Sequence, residues 1–382
     1  MNTMSFEQGP IRPPSEATSL LLRFTRNCPW NKCAFCPIYK KRTFSRRSMA
    51  EILADIDAVA NILEDLSQVS RNLGYEGEFT RELLQYILSN PDYTEQYKQV
   101  TVWACRGDGN VFIQDANSLI MKSDDLVQAF EYLTQRIPQV QRITTYARSS
   151  TVARKSLEEM KSLKESGLAR IHIGLESGSD NVLKLVNKGT TGQKHILAGQ
   201  KIVQSGITLS EYIMPGLGGK ALSKEHAEQT AYVLNQINPD YIRIRSLHVI
   251  PETPLYNMLQ EGTFQLLSDD DTAKEIRLMI SLLDGIQSTV TSDHIMNLLE
   301  EVQGTLPEDK EAMIRVIDDY LSMPEEERIL YRLGRRGGAL RSIKEIQDPS
   351  IRNKLNQAKK ELLRQEGKDI EKIITELGSQ YI

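Results

Sequence analysis

From residue 19 to residue 249 the chain alternates short β-branched or apolar runs with longer stretches of helical periodicity. Residues 19–24 (SLLLRF) read as the first strand, and a helix follows over about 48–61. The second strand is expected at 111–114 with its helix at 124–136, and the third at 142–146 with its helix at 153–165. The fourth lies at 170–175 with helical segments to about Gln204, the fifth at 208–214 with a helix at 224–236, and the sixth at 241–249. Six strand–helix units in succession imply a parallel sheet covered by helices. Right-handed crossovers wind such units into a barrel. A doubly wound sheet usually carries a glycine fingerprint after its first strand, and this chain has cysteines there. The expected fold class is therefore α/β, a full or partial TIM-like barrel with a helical C-terminal region.

The expected organisation is an irregular, Pro-rich tail over 1–18, the barrel over 19–257, and the helical region over 258–382. Residues 62–99 interrupt the alternation, are mostly polar and read as an insertion, helical at 80–88. Strand signals vanish from about Ser268. Helical stretches follow at 272–283, 294–302, 308–321 and 353–377, broken at Pro307, Pro324, the run LGRRGGALR and Pro349. Ser292 or Asp293 reads as the cap of a surface helix that places His294 and Asn297 on one face.

With 382 residues, 40% of them hydrophobic, the chain is long enough for a large domain and a smaller one. No run approaches the ~18 apolar residues of a membrane span, and the first residues lack the basic and apolar regions of a signal peptide. A cytoplasmic protein with no membrane partner is expected. The net charge of −4 offers no general attraction to nucleic acid. Locally, Lys40 to Arg47 (KKRTFSRR) carries five positive charges, and such a run is ordinarily a solvated loop.

Three of the four cysteines, Cys28, Cys33 and Cys36, fall within nine residues. A disulfide framework would spread them, whereas clustering in a large chain points to metal. The spacing is C-x4-C-x2-C just after the first strand. Structural zinc wants four protein ligands. A 4Fe-4S cluster commonly takes four cysteines, so three leave one iron open to a cofactor or substrate. At the end of a first barrel strand that iron would face the mouth where barrel active sites sit. A zinc knuckle that staples a loop, or a non-catalytic iron–sulfur sensor, uses the same residues. Cys105 stands alone and reads as a small buried hydrophobe.

At this loop the sequence resembles the radical S-adenosylmethionine (radical SAM) superfamily, in the branch of the methylthiotransferase, Elongator catalytic-subunit and anaerobic coproporphyrinogen-oxidase domains. The family hallmark is C-x3-C-x2-C after the first strand of a barrel, this chain has one residue more between the first two cysteines, and the resemblance implies the α/β fold class of a partial (β/α)6 TIM-like barrel with a helical C-terminal region. Phe35 stands where the family has an aromatic before the last cysteine. Gln114, Asp115 and Ala116 occupy the place of the family's GGE motif, and the resemblance implies that they receive the ammonium of S-adenosylmethionine. The segment from Ile171 to Ser179 (IHIGLESGS) resembles the branch's GLESG segment, which implies that Glu176 contacts the ribose or the amino-acid part of the cofactor. Arg148 offers a guanidinium for the cofactor carboxylate. The segment EYIMPGLGG, with Met214, resembles the adenine-binding region, and it misses the spacing of a phosphate loop. Arg243, Arg245 and His248 on the sixth strand read equally as an outer face or as contacts at the barrel mouth.

The resemblance implies a 4Fe-4S cluster on Cys28, Cys33 and Cys36, S-adenosylmethionine as cofactor, and a radical that abstracts hydrogen from a substrate. It also implies a reduced electron donor of flavodoxin or ferredoxin type and anaerobic work. Extra domains that carry an RNA, acetyl or cobalamin function in this branch are not evident, so a small-molecule substrate is expected over nucleic acid. The Lys40–Arg47 run beside the loop would suit an acidic substrate or electron donor.

Overall fold

The computed structural model describes residues 4–366 and 369–379. Eight strands form a predominantly parallel sheet: β1 (Leu20–Arg23), β2 (Asn110–Gln114), β3 (Arg142–Ala147), β4 (Leu168–Glu176), β5 (Thr208–Ile213), β6 (Tyr241–Ile244), β7 (Thr289–Thr291) and β8 (Gly304–Thr305). Their order across the sheet is their order in the chain. Parallel pairing joins β1 to β2, β2 to β3, β3 to β4, β5 to β6 and β6 to β7, and β8 returns antiparallel on β7. No reversal of strand order, which a doubly wound sheet needs, occurs among the described strands. This is the sequential order of a partial (β/α) barrel, the fold class expected. The helices are α1 (Met49–Asn72), α2 (Arg81–Ser89), α3 (Glu95–Arg106), α4 (Ser123–Arg136), α5 (Ser149–Val152), α6 (Leu157–Glu165), α7 (Asp180–Leu185), α8 (Gly192–Gln204), α9 (Gly219–Ile237), α10 (Pro254–Gln260), α11 (Asp269–Leu282), α12 (Lys310–Ser322), α13 (Glu325–Arg336), α14 (Pro349–Glu366) and α15 (Ile370–Ser379). No described helix is long and apolar enough to cross a membrane.

The chain divides into two compact units. The first holds residues up to Asn31, Ile38–Ile173 and Lys201–Leu209. Its longest helix, α1, opens on a capping box between Ser48 and Glu51. Ile52, Ile56, Val59, Leu63 and Leu66 are buried at spacings of three and four, the stripe of a core-facing helix. That stripe corrects the expected helix end near residue 61 and the insertion from 62. The polar residues there are the outer face of a continuing helix, followed by α2 and α3. The helix expected at 153–165 begins only at Leu157, where Ser156 makes a capping box with Glu159, and the short α5 ends before it at Val152. The irregular tail is not loose. Phe6 is buried, and Glu16 is buried with its carboxylate accepting from Arg142 at 3.0 Å and from Ser19 Oγ at 2.5 Å. Residues 1–3 of that tail lie outside the described residues.

The second unit holds Lys32–Pro37, Gly174–Gln200 and the chain from Ser210 onward. Strand signals were expected to vanish after Ser268, yet β7 and β8 lie there. The helix expected at 294–302 is absent. Asn297 donates its amide to the Ile244 carbonyl and accepts from the Ser246 N–H, and Ser292 Oγ donates to the Leu299 carbonyl. These side-chain bonds to backbone replace a helical ladder, so His294 and Asn297 do not share a helical face. The sixth strand ends at Ile244 rather than 249, leaving Arg245 and His248 beyond it. The run LGRR, expected as a break, is the last turn of α13. The helix expected at 353–377 is α14 and α15, and its residues 367–368 lie outside the described residues. Ile329, Leu333, Ile373 and Ile374 make a separate small core between α13 and α15.

The length of α1 is testable. Leu66→Ala is expected to destabilise the chain about as much as Ile56→Ala, by about 2–5 kcal/mol each in urea unfolding. A polar insertion at residue 66 would instead leave Leu66→Ala close to the wild type.

Candidate cofactor site

In the first unit the chain leaves β1, makes a short antiparallel pair between Thr25–Arg26 and Ser45–Arg46, and reaches Cys28. Asn27 and Asn31 take left-handed backbone angles, with φ of 68° and 47°. The Asn31 N–H donates to Cys28 Sγ at 3.4 Å. Asp115, at the end of β2, is fully buried and has φ of 70°. Its carboxylate accepts from Arg23 Nε at 2.6 Å, the Tyr39 hydroxyl at 2.7 Å and the Asn27 N–H at 2.9 Å. Burial and this neighbouring carboxylate push the Tyr39 phenol far above its usual range.

These contacts redirect the expectation for the segment 114–116. Asp115 is already held by a guanidinium, a phenol and a backbone N–H. Gln114 is occupied as well: its amide oxygen accepts from the Gly9 N–H at 2.7 Å, and its amide nitrogen donates to the Gly9 and Ile11 carbonyls. Ala116 follows, partly exposed. Arg148 caps α5, and its N–H donates to the Asn117 side chain at 3.0 Å. Its guanidinium lies 5.4 Å from the centre of the Trp30 ring. Cys105 sits half-buried on α3 with its thiol toward the Thr80 carbonyl, and burial pushes that thiol up to about 11.

In the second unit Cys33 is buried and Cys36 partly so, and the Cys36 N–H donates to the Cys33 carbonyl at 3.4 Å. Between them Ala34 is tied at both backbone atoms: its N–H to the Val186 carbonyl and its carbonyl to the Leu255 N–H. Phe35 packs against that apolar cluster and lies 5.7 Å from Lys188 Nζ. Lys188 also holds Glu176 at 2.9 Å. Glu176 has φ of 62°, so its side chain folds back over Gly174. A Cβ on Gly174 would lie 2.2 Å from the Glu176 carboxylate, which explains the glycine.

One residue that sequence reasoning left without a role stands out here. Glu211 on β5 is fully buried, and among the described residues neither carboxylate oxygen has a hydrogen-bond partner. Burial, with Glu176 nearby, raises its pKa well above the usual carboxylate range, and Lys188 only partly opposes this. Burial without a partner thus favours its protonated form, which has a hydrogen to donate. The signal available was a lone carboxylate inside an otherwise uncharged strand, TLSEYI.

Met214 donates its N–H to the Glu176 carbonyl at 3.0 Å. Its own carbonyl faces Nε2 of the buried His226 at 3.1 Å, and Nδ1 of the same ring meets Ser177 Oγ at 2.8 Å. Nε2 must carry the proton toward a carbonyl, so Nδ1 accepts from Ser177. Burial lowers the pKa of His226 to about 4, keeping it neutral. Glu275 on α11 accepts from the Gly216 N–H at 2.7 Å and from Ser223 at 2.5 Å. Two buried side chains thus brace the backbone after β4 and after β5.

Three cysteines are the donor set of a 4Fe-4S cluster with one iron left open, whereas a structural zinc takes four protein ligands. Three thiols stand on one loop, none is in a disulfide, and Cys28 has a backbone N–H on its sulfur.

The radical SAM superfamily model matches residues 22–230, more than half of the chain. The tRNA uridine(34) acetyltransferase of Methanocaldococcus infernus is 27% identical over 118 residues, 31% of this chain and 22% of that protein. The 4′-phospho-dehydrooxetanocin synthase of Priestia megaterium is 23% identical over 227 residues, 58% of this chain and 27% of that protein. The chain therefore spans only about a quarter of the length of these curated relatives. Among solved structures, coproporphyrinogen III oxidase from Escherichia coli aligns with a TM-score of 0.42 at 13% identity, over 66% of this chain and 49% of that one. A cobalamin-dependent S-adenosylmethionine radical enzyme aligns with a TM-score of 0.44 at 14% identity, over 96% and 54%.

The Glu275 brace has a pH signature. Burial raises its carboxyl pKa to about 7 from 4.5, so the folded chain keeps a proton that the unfolded chain releases. Wild type is expected to lose about 3 kcal/mol of stability relative to Glu275→Gln as pH rises from 4.5 to 7. Urea unfolding across that range measures it, and parallel pH profiles for the two proteins would contradict it.

Proposed function

The chain belongs to the radical SAM superfamily, and from that premise we propose that it cleaves S-adenosylmethionine reductively to start hydrogen abstraction from a small organic substrate. The observation that carries the reading is the set of three thiols at C-x4-C-x2-C directly after β1, within the matched residues. Cys28, Cys33 and Cys36 would hold a 4Fe-4S cluster. When bound, the cluster and S-adenosylmethionine together supply methionine and a 5′-deoxyadenosyl radical. The protein's part is binding, orientation and exclusion of water.

Each expected cofactor residue then has a task compatible with its contacts. Asp115 shapes the loop before Cys28 rather than meeting the ammonium, which falls to backbone carbonyls around Ala116. Gln114 fixes the end of β2 to the N-terminal tail. Phe35 shields the cysteines with an apolar ring. Arg148 offers its guanidinium to the cofactor carboxylate. Glu176, as acceptor, and the protonated Glu211, as donor, form a complementary pair for ribose hydroxyls. Met214 and the loop after it pack on adenine, with His226 and Glu275 fixing their backbone.

The exposed Lys41, Arg42 and Arg46 suit an acidic carrier of flavodoxin or ferredoxin type. Two of the relatives are named for a tRNA uridine activity, but a net charge of −4 favours a small molecule over RNA here. A cytoplasmic enzyme working without air is the setting this chemistry needs.

Anaerobic reconstitution with iron and sulfide, followed by reduction in the presence of S-adenosylmethionine, tests the proposal. Formation of 5′-deoxyadenosine is expected from wild type and none from Cys33→Ala, with circular dichroism unchanged. A brown protein that makes no 5′-deoxyadenosine would indicate a sensor, and a colourless protein holding zinc a structural staple. Either result would overturn the proposal. Glu211→Gln should bind S-adenosylmethionine more weakly by about tenfold or less, because the amide still donates. Glu211→Leu should weaken it further.

A further inference from the structure

We infer that Arg243 and Arg245 form a binding site for an oxyanion, a carboxylate or phosphoryl group carried by the substrate. Arg243 lies on β6, Arg245 is the first residue after it, and both guanidiniums face Asp293. Both side chains are largely buried, 7% and 14% exposed. Among the described residues Asp293 is the one carboxylate within 4 Å of either, at 3.2 Å and 3.5 Å, and it is itself 37% exposed. Two positive charges share one negative, so the group carries an excess positive charge in a chain of net charge −4.

The other buried arginines of this unit show what full neutralisation looks like. Arg332, Arg335 and Arg336 each hold a separate carboxylate, at 2.7, 2.8 and 2.7 Å, the length of a charge-assisted hydrogen bond. The contacts to Asp293 are longer, single and solvated. An exposed carboxylate at that range neutralises a guanidinium weakly, while burial makes an uncompensated one costly. An incoming anion would remove the imbalance, and Asp293 at the exposed edge would yield its place.

The forks are also held in position. Arg243 Nε donates to Ser210 Oγ at 3.1 Å, and its guanidinium lies 5.6 Å from the Tyr241 ring centre. Arg245 lies 5.0 Å from the Tyr212 ring centre, and its N–H donates to the Ile213 carbonyl at 2.9 Å. Planar guanidiniums fixed on aromatic faces suit the two-oxygen edge of a carboxylate or phosphoryl group. His294, beside Asp293, is kept neutral by burial and by Arg245, with its pKa lowered to about 4. It therefore adds a polar neighbour without a competing charge.

This reading deepens the proposed function by naming the substrate's class, and it rests on that function only in treating the ligand as a substrate. Calorimetric titration of the cluster-loaded full chain with inorganic phosphate, and separately with acetate, at constant ionic strength and without S-adenosylmethionine, tests it. Wild type is expected to bind at least one of the two, and the tighter one identifies the phosphoryl or carboxylate class. Arg245→Gln should weaken that binding by about tenfold or more. Asp293→Asn, which removes the competing carboxylate, should tighten it and keeps the test decisive if Arg245→Gln folds poorly. No binding of either anion to wild type, equal binding in Arg245→Gln, or weaker binding in Asp293→Asn would overturn the inference. Because no S-adenosylmethionine is present, these outcomes are independent of whether the chain cleaves it.

Discussion

In the first unit one buried carboxylate, that of Asp115, ties the backbone before Cys28 to the phenol of Tyr39. It binds Asn27, the residue before Cys28, and Tyr39, two residues beyond the Cys-Pro pair at 36–37, and it is neutralised by Arg23 at the end of β1. A carboxylate with no exposure is tolerated only when paired and fully hydrogen-bonded. Losing any one partner would leave charge or polarity stranded. The left-handed backbone at Asp115 and Asn27 is the accompanying strain, sustained because the surrounding bonds over-determine it. The backbone before Cys28 is thus anchored through polar contacts that sequence spacing alone does not reveal.

The second unit uses the same device with different residues. His226 and Glu275 stand on helices, yet their bonds go to backbone and hydroxyl groups just past the ends of β4 and β5. In a barrel, those strand ends carry the functional loops. A neutral imidazole and a carboxyl shifted upward by burial suit this task, since between about pH 4 and 7 neither brings a full charge into the core. Close packing adds to the fixation. A Cβ on Gly178 would meet the Gln229 carbonyl oxygen at 2.2 Å, so the Ser-Gly after Glu176 allows α9 to approach.

Much of this was legible in the sequence, for identifiable reasons. Strand–helix alternation gave the fold class, because a hydrophobic period of two and one of 3.6 are distinct signals. The family was legible because the cysteine spacing and the motifs that accompany it are local in sequence. Helix length was misjudged at α1, where a wide polar face hid the continuing stripe from Ile62 to Leu66. The stretch 292–302 misled because Asn297 and Ser292 bond to distant or local backbone, which no periodicity records. Asp115 and Gln114 were legible as important but not in what they touch. Their partners, Arg23, Tyr39 and Gly9, are remote in sequence. Glu211 went unassigned because its isolation from hydrogen-bond partners exists only in three dimensions.

The central claim is that the three thiolates hold a cubane with one iron left for S-adenosylmethionine. Electron paramagnetic resonance of the anaerobically reconstituted, reduced chain, recorded with and without S-adenosylmethionine, addresses it most directly. The account predicts the signal of a reduced 4Fe-4S cluster whose shape changes on adding S-adenosylmethionine, because the cofactor ligates an iron. A reduced-cluster signal indifferent to S-adenosylmethionine, or no cluster signal at all, would contradict it.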